Sequence, residues 1–257
     1  MNVKELFNLA GKTAIVTGGG RGLGQQIAEG LAEAGANVVV CSRKEDACRE
    51  VSEELKKIGA ESFAMKCDIT NPADIKDVVD ATLEKFGRID ILVNNSGATW
   101  GAPAEEMPLE AWQKVMNVNA TGTFLMSQAV GKVMIEQEYG KIINIASVAG
   151  LKGSNPKFMN AIGYNSSKGA VITFTKDLAV KWGPKGIYVN ALAPGFFPTK
   201  MSKGLLEEGG AAIKEGTPLR KFGTENDLKG AALFFASSAS DFVTGAVLPV
   251  DGGTSAM

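Results

Sequence analysis

Apolar residues occur along this chain as short runs, separated by longer segments in which they recur at helical spacing. Thr13–Thr17 (TAIVT), Asn37–Cys41 (NVVVC), Ser62–Cys67 (SFAMKC) and Ile89–Asn94 (IDILVN) read as the first four strands. Lys141–Ala146, Tyr188–Ala193 and Ala246–Val250 predict three more. Several of these runs are apolar almost throughout, the pattern of strands covered on both faces. The segments between them, such as Gly22–Gly35 and Asn71–Gly87, have helix length and end on a glycine suited to a left-handed closure. Regular alternation of strand and helix predicts β-α-β units joined by right-handed crossovers. The expected fold is α/β: a single doubly wound (Rossmann) domain over residues 1–257, with a mostly parallel seven-stranded sheet and helices on both faces. In such a sheet ligands bind at the C-terminal ends of the strands, near the point where strand order reverses.

Two segments depart from this rhythm. From Leu109 to about Gln137 the apolar positions cover most of a helix's circumference, including Trp112, Val115, Phe124, Met126, Val130 and Met134. A helix apolar nearly all round is buried on more than one side, by the core or by a second subunit. The stretch from Phe196 to Gly216 is punctuated by Pro198, Gly204, Gly209 and Gly210 within a weak helical signal. It reads as a surface connection or, from its place after a strand and beside the expected crevice, as a substrate lid.

Composition narrows the chemistry. The length of 257 residues suits one large α/β domain, and 45% hydrophobic with 21% charged residues is ordinary for a soluble globular protein. A formal net charge of −1 argues against a nucleic-acid binder held by phosphate contacts. There is no histidine, which excludes histidine triads and histidine metal sites, and no metal is expected. Cys41, Cys48 and Cys67 form no C-x-x-C and read as small core residues in a reducing cytosol. No run approaches the length of a membrane span, and Met1–Thr13 lacks the apolar core of a signal peptide. A cytoplasmic protein without membrane or nucleic-acid partners is expected.

Candidate chemistry begins at Thr17-Gly18-Gly19-Gly20-Arg21-Gly22-Leu23-Gly24, directly after the first strand and opening the first long helix. The spacing is T-G-x-x-x-G-x-G. Glycines let the backbone turn tightly and approach a pyrophosphate, and the helix N-terminus offers free N–H groups and a positive dipole end. Gly18, Gly20, Arg21, Gly22 and Leu23 are therefore candidate cofactor contacts. At the end of the second strand, where a carboxylate would bond an NAD ribose, stand Ser42, Arg43 and Lys44. Guanidinium groups at Arg43 and Arg21 suit a 2′-phosphate, so NADP(H) is expected over NAD(H). Glu45 and Asp46 are the rival ribose ligands, but they fit the first turn of the following helix.

Further on, Cys67-Asp68-Ile69, Asn94-Asn95-Ser96-Gly97, Asn119 in Val118-Asn119-Ala120-Thr121-Gly122, Ser147, Tyr164-Asn165-Ser166-Ser167-Lys168 and Pro194-Gly195-Phe196-Phe197-Pro198-Thr199 follow in order. With the glycine loop, this set resembles the short-chain dehydrogenase/reductase family over essentially the whole chain. Two departures are visible: Ser96 stands where alanine is usual, and the Ser147-to-Tyr164 segment is several residues longer than usual. The resemblance implies a nicotinamide-dependent oxidoreductase acting on CH–OH/C=O, a homo-oligomer (a tetramer), and four catalytic residues: Asn119, Ser147, Tyr164 and Lys168.

Tyr164 is the expected general acid/base. A free tyrosine has a pKa near 10, so bringing it to neutral pH takes about 4 kcal/mol of preferential phenolate stabilisation. Lys168, one helical turn on, supplies positive charge, and the resemblance adds a bond to the nicotinamide ribose. Ser147 would orient the substrate oxygen. Asn119 would support a local helix distortion and a water carrying protons from Lys168. Asp68 and Ile69 would border the adenine, Asn95 and Gly97 would line the floor beneath the ribose, and Pro194, Gly195, Phe197 and Thr199 complete the expected cofactor contacts.

The small-molecule carbonyl or alcohol partner is less defined. The resemblance extends equally to 3-oxoacyl-[acyl-carrier-protein] reductases and to sugar-acid or polyol dehydrogenases such as gluconate 5-dehydrogenases. Trp100, Leu151, Phe158, Met159, Phe196, Phe197 and Met201 are candidate pocket residues, an apolar set that leans toward a 3-oxoacyl thioester or related ketone. Lys200 and Lys203 lie in the presumed lid, within reach of a phosphopantetheine or a carboxylate. A catalytically silent cofactor-binding sensor is the reading of another class; Tyr164, Lys168 and Ser147 are all present, which speaks against it.

Overall fold

The computed structural model describes residues 2–156, 159–200 and 202–257, apart from the side chain of Glu208. Seven strands form one parallel sheet: β1 (Thr13–Thr17), β2 (Asn37–Ser42), β3 (Ser62–Lys66), β4 (Ile91–Asn94), β5 (Gly140–Ile145), β6 (Ile187–Pro194) and β7 (Val247–Val250). Their order across the sheet is β3-β2-β1-β4-β5-β6-β7. The order reverses between β1 and β4, which places the ligand crevice over the ends of those two strands. β4 starts two residues later than the apolar run suggested. There the Asp90 carboxylate, rather than a ladder carbonyl, accepts from the Thr13 main-chain N–H at 3.0 Å.

The helices are α1 (Val3–Leu6), α2 (Gly22–Glu33), α3 (Glu45–Lys57), α4 (Pro72–Phe86), α5 (Leu109–Met116), α6 (Gly122–Glu136), α7 (Ile162–Trp182), α8 (Lys203–Glu215) and α9 (Lys229–Ala236). Alternation along the strands divides the core into two layers. Val38, Val40, Ile91, Val93 and Ile143 face residues of α2, α3 and α9, such as Ile27, Leu55 and Phe235. Ile15, Val39, Leu92 and Ile142 face α4, α6 and α7 through Ile75, Met126, Val130 and Leu178. Helices on both faces explain why the strands read as nearly continuous apolar runs. The caps follow local chemistry: α4 opens on Asn71, whose side chain accepts from Ala73 N, and closes on Gly87 at φ 71°.

The long apolar segment is helical without a break from Leu109 to Glu136, as its pattern suggested. Asn117–Thr121 form a π turn between α5 and α6. Beyond it, Met126, Val130 and Met134 are buried in the core. Leu109 and Phe124 on α5 and α6, and Ile162 and Val180 on α7, remain 68%, 44%, 43% and 78% exposed. The described residues of the Phe196–Gly216 segment are irregular before Lys203, where α8 begins despite its glycines. Among the described residues no helix is long and apolar enough to cross a membrane, and no group of acidic, cysteine or histidine residues could hold a metal ion. The three cysteines are buried and unpaired by disulfides.

Candidate active site

The glycine loop leaves β1 and turns into α2. Gly18 and Gly22 take φ of +64° and +56°, the left-handed region that other residues avoid. Between them Gly20 lies against Cys48 of α3, and exposed Arg21 begins α2 without a side-chain cap. The first-turn N–H groups of α2 thus face the crevice with no protein side chain capping them, which is what an anion site needs. Leu23 is half-buried and packs on the core beneath.

Asn95, expected under the ribose, holds the loop itself. Its Nδ2 donates to the carbonyls of Thr17 at 2.9 Å and Gly18 at 3.1 Å, while Thr17 Oγ1 accepts from Asn95 N and Ser96 N, each at 3.0 Å. The end of β4 is therefore stitched to the end of β1 at the switch point. The Ser42 hydroxyl closes the turn after β2, accepting from Lys44 N at 3.2 Å and donating to Lys44 O at 3.1 Å. Arg43 is exposed beside Asp68. Two hydrogen bonds from Thr70, with a smaller contribution from Arg43, hold the Asp68 carboxyl below its usual range. Ile69 is buried against Gly122.

Deeper in the crevice the catalytic candidates converge. A β-carbon placed on Gly97 would stand 3.5 Å from Asn119 Oδ1 and 3.8 Å from Lys168 Nζ. Asn119 sits in the π turn, 1% exposed. Its Oδ1 accepts from Ala98 N at 2.7 Å; its Nδ2 donates to Ala98 O at 2.9 Å and to Ser167 Oγ at 2.8 Å. Its side chain is thus spent joining the loop after β4 to α7. π turns commonly mark functional sites, and here the extra residue turns Asn119 inward.

Ser147 follows β5 in extended conformation, 7% exposed, and its hydroxyl accepts from Ala149 N at 3.1 Å. Tyr164 and Lys168 lie one turn apart near the start of α7, with the Lys168 ammonium 5.7 Å from the centre of the Tyr164 ring. Burial pushes the Tyr164 phenol up from its ordinary value, and a hydrogen bond with the Ser147 hydroxyl works the other way. Burial alone draws Lys168 down to about 8. Its ammonium donates to Ile145 O at 2.7 Å. The three groups form a compact set: a hydroxyl, a phenol and a cation, poised for proton transfer to an oxygen placed between Ser147 and Tyr164.

The sequence reading missed Gly150. The turn Val148–Gly150 rests directly on α7, where a β-carbon on Gly150 would meet Lys168 C at 2.6 Å and Gly169 N at 2.7 Å. A glycine three residues after Ser147 was the available signal. Ser167, the partner of Asn119, was also given no role; it lay inside the quoted motif.

Across the crevice, Pro194 ends β6 and Gly195 N donates to Val250 O at 3.0 Å. Thr199 stands over Gly22, its methyl carbon 3.5 Å from where a β-carbon there would lie. The Phe197 side chain, expected at the pocket, is 5% exposed in the core and packs on Gly223. Aromatic rings bury where a facing glycine leaves room, and only its main chain and neighbours remain on the crevice side. Phe196 and Phe197 also border a small cavity of about 150 Å³ behind α8. Trp100 and Leu151 are 46% and 41% exposed. Lys200 and Lys203 are exposed, and Lys203 pairs with Glu207 at 3.8 Å. Phe158 and Met201 lie outside the described residues.

Comparison with known proteins agrees with this architecture. The family model described as enoyl-(acyl carrier protein) reductase matches residues 18–255. The chain is 40% identical over 247 residues to a 3-oxoacyl-[acyl-carrier-protein] reductase of Synechocystis sp., covering 95% of this chain and 97% of the relative. It is equally 40% identical over 251 residues to a 2-dehydro-3-deoxy-D-gluconate 5-dehydrogenase of Bacillus subtilis, covering 97% and 96%. A gluconate 5-dehydrogenase of Burkholderia cenocepacia, solved with NADP and tartrate, superposes with a TM-score of 0.94 at 36% identity, covering 100% of both chains. With the glycine loop, the π-turn asparagine and the Ser147–Tyr164–Lys168 cluster in this arrangement, the chain belongs to the short-chain dehydrogenase/reductase family.

Proposed function

We propose that this protein reduces the ketone of a 3-oxoacyl thioester or a related apolar ketone, with Tyr164 as proton donor. As a family member it is an NADP(H)-type oxidoreductase of the CH–OH/C=O couple. The uncapped N-terminus of α2 behind left-handed Gly18 and Gly22 fits a pyrophosphate. Arg21 and Arg43, both exposed, would take the 2′-phosphate beside Ser42. Asp68 and Ile69 would border the adenine, with Asn95 and Gly97 beneath the ribose. Pro194, Gly195, Phe197 and Thr199 would flank the nicotinamide half, Phe197 through its main chain.

NADPH, when bound, would provide the hydride for the carbonyl carbon. Ser147 donates a hydrogen bond to the carbonyl oxygen and orients it. Tyr164, kept protonated by burial, gives that oxygen its proton. Lys168 stabilises the phenolate left behind and bonds the nicotinamide ribose. Asn119 fixes the π turn and, through Ala98 and Ser167, the walls around the lysine.

The substrate class rests on one observation: large apolar side chains stand open to solvent on the loops that follow β4 (Trp100) and Ser147 (Leu151), while the lid cation Lys203 is already matched by Glu207. A polyhydroxylated acid needs several convergent polar groups instead. Residues 196–216 would close over the substrate as a lid. The gluconate-type reading remains the alternative, favoured by the Bacillus and Burkholderia relatives. Side-by-side kcat/KM for acetoacetyl-CoA and 5-ketogluconate with NADPH separates them. We expect the thioester to be favoured; ten-fold faster reduction of the keto acid overturns that choice. The exposed Leu109, Phe124, Ile162 and Val180 suit self-association, a tetramer in this reading. Buried free thiols suit a cytoplasmic setting.

A further inference from the structure

A chain of buried polar side chains runs through the layer between β4, β5, α6 and α7. Asn94 Nδ2 donates to Ser127 Oγ and to Asn144 Oδ1, both at 2.9 Å. Asn144 Nδ2 donates to Thr175 Oγ1 at 2.9 Å, and Thr175 Oγ1 donates to Val171 O at 2.8 Å. Exposure of the four is 4%, 1%, 0% and 0% for Asn94, Ser127, Asn144 and Thr175. We propose that Ser127, Asn94, Asn144 and Thr175 are positioning residues, a ladder that sets the spacing of β5 and α7 and so holds Ser147, Tyr164 and Lys168 in register.

Stability does not account for the ladder. Asn94 Oδ1 is buried without a hydrogen-bond partner, a net cost that an apolar filling of the same layer would avoid. What paired amides provide and aliphatic contacts do not is a fixed separation. Asn94 and Asn144 stand opposite each other across the parallel strands. Two members adjoin site residues in sequence, and the other two share a helix with one. Asn94 precedes Asn95, which clamps the glycine loop. Ser127 is on α6, which continues from the π turn carrying Asn119. Asn144 precedes Ile145, the acceptor of the Lys168 ammonium, and lies three residues before Ser147. Thr175 lies two turns beyond Lys168 on the same side of α7.

This last placement carries the argument. α7 is held to β5 at two polar points, Lys168 to Ile145 O and Thr175 to Asn144. In the mechanism above Lys168 serves the phenol and the cofactor ribose, so its hold on Ile145 has to be expendable. Thr175 keeps the helix in place while the lysine works. The inference rests on the reading that Tyr164 and Lys168 are the reactive pair.

The test is Thr175→Val, which keeps shape and removes the hydroxyl, against Thr175→Ser, which restores it. Steady-state rates with NADPH, the pH profile of kcat, NADPH Kd, Tm, and the Lys168 pKa by NMR in the cofactor-free protein are read together. Expected for Thr175→Val is a kcat loss of about ten-fold or more, a displaced basic limb of the profile, a raised Lys168 pKa, and NADPH Kd within two-fold. Thr175→Ser should return kcat to within two-fold. A Thr175→Val protein that loses Tm yet keeps kcat, profile and Lys168 pKa overturns the proposal. Should Thr175→Val not fold, Ser127→Ala at the far end decides: a kcat loss of about three-fold at unchanged NADPH Kd supports the ladder, and wild-type kcat refutes it. Failure of the underlying reading looks different: the wild-type protein would then reduce no carbonyl with NADPH, or Tyr164→Phe would stay active.

Discussion

Lys168 donates its ammonium proton to the main-chain oxygen of Ile145 at 2.7 Å, tying the end of the Tyr-x-x-x-Lys motif to the strand that leads into Ser147. The ammonium is 5% exposed as a residue and drawn from 10.5 to about 8 by burial. A lowered lysine pKa means the unfolded chain binds the proton more tightly than the folded one between those values, so the wild-type protein gains stability as pH rises from about 8 to 10.5. Lys168→Met removes that burden. We predict that it raises stability by about 2 kcal/mol at pH 7 and that the advantage shrinks toward pH 10.5. Tm against pH for the two cofactor-free proteins checks this; a variant less stable than wild type at pH 7 contradicts it. The same variant should turn over little, since activity here depends on a charge the fold would rather exclude.

Gly150 makes a second prediction. A β-carbon there would press on Lys168 C, Lys168 O and Gly169 N at 2.6, 2.8 and 2.7 Å, all backbone atoms that cannot rotate away. Gly150→Ala should cost about 1–3 kcal/mol of stability and displace Ser147 from Tyr164. The expected result is a fall in kcat of at least ten-fold with NADPH affinity nearly unchanged. Wild-type kcat in the alanine variant would show that the contact between the Val148–Gly150 turn and α7 does not set the site.

Cofactor choice should follow Ser42, Arg43 and Arg21. One charge-assisted hydrogen bond is worth about 1.5–3 kcal/mol, so an arginine on the 2′-phosphate implies roughly 10- to 150-fold preference for NADPH. Ser42→Asp combined with Arg43→Leu should move the preference toward NADH, as measured by the two dissociation constants. Tighter binding of NADH than NADPH by the unmodified protein would count against the assignment.

Much of this was legible in the sequence, for identifiable reasons. Strands covered on both faces, such as β1 and β2, announce themselves as short apolar runs, and Asn71-Pro72 with Gly87 marked both ends of α4. The glycine loop and the Tyr164–Lys168 spacing encode chemistry in residue type and order. What was not legible depends on contacts distant in sequence. The π turn between α5 and α6 falls within an unbroken apolar pattern, because it inserts one residue into a continuous helix without changing composition. Phe197 looked like a pocket residue until Gly223 opened a core site for its ring. The motif placed Asn95 beneath the ribose but gave no sign that its amide also ties β4 to Thr17 and Gly18 after β1. Nothing local distinguished Asn144 or Thr175 from ordinary polar residues.

The most direct measurement is turnover by Tyr164→Phe with NADPH and the best carbonyl substrate, together with NADPH affinity. In the proposed reaction the hydroxyl acts on the substrate oxygen and not on the cofactor, so turnover should fall to background while the NADPH Kd stays within about two-fold. A Tyr164→Phe protein that keeps a tenth of wild-type activity would mean that another group delivers the proton, and would contradict the account.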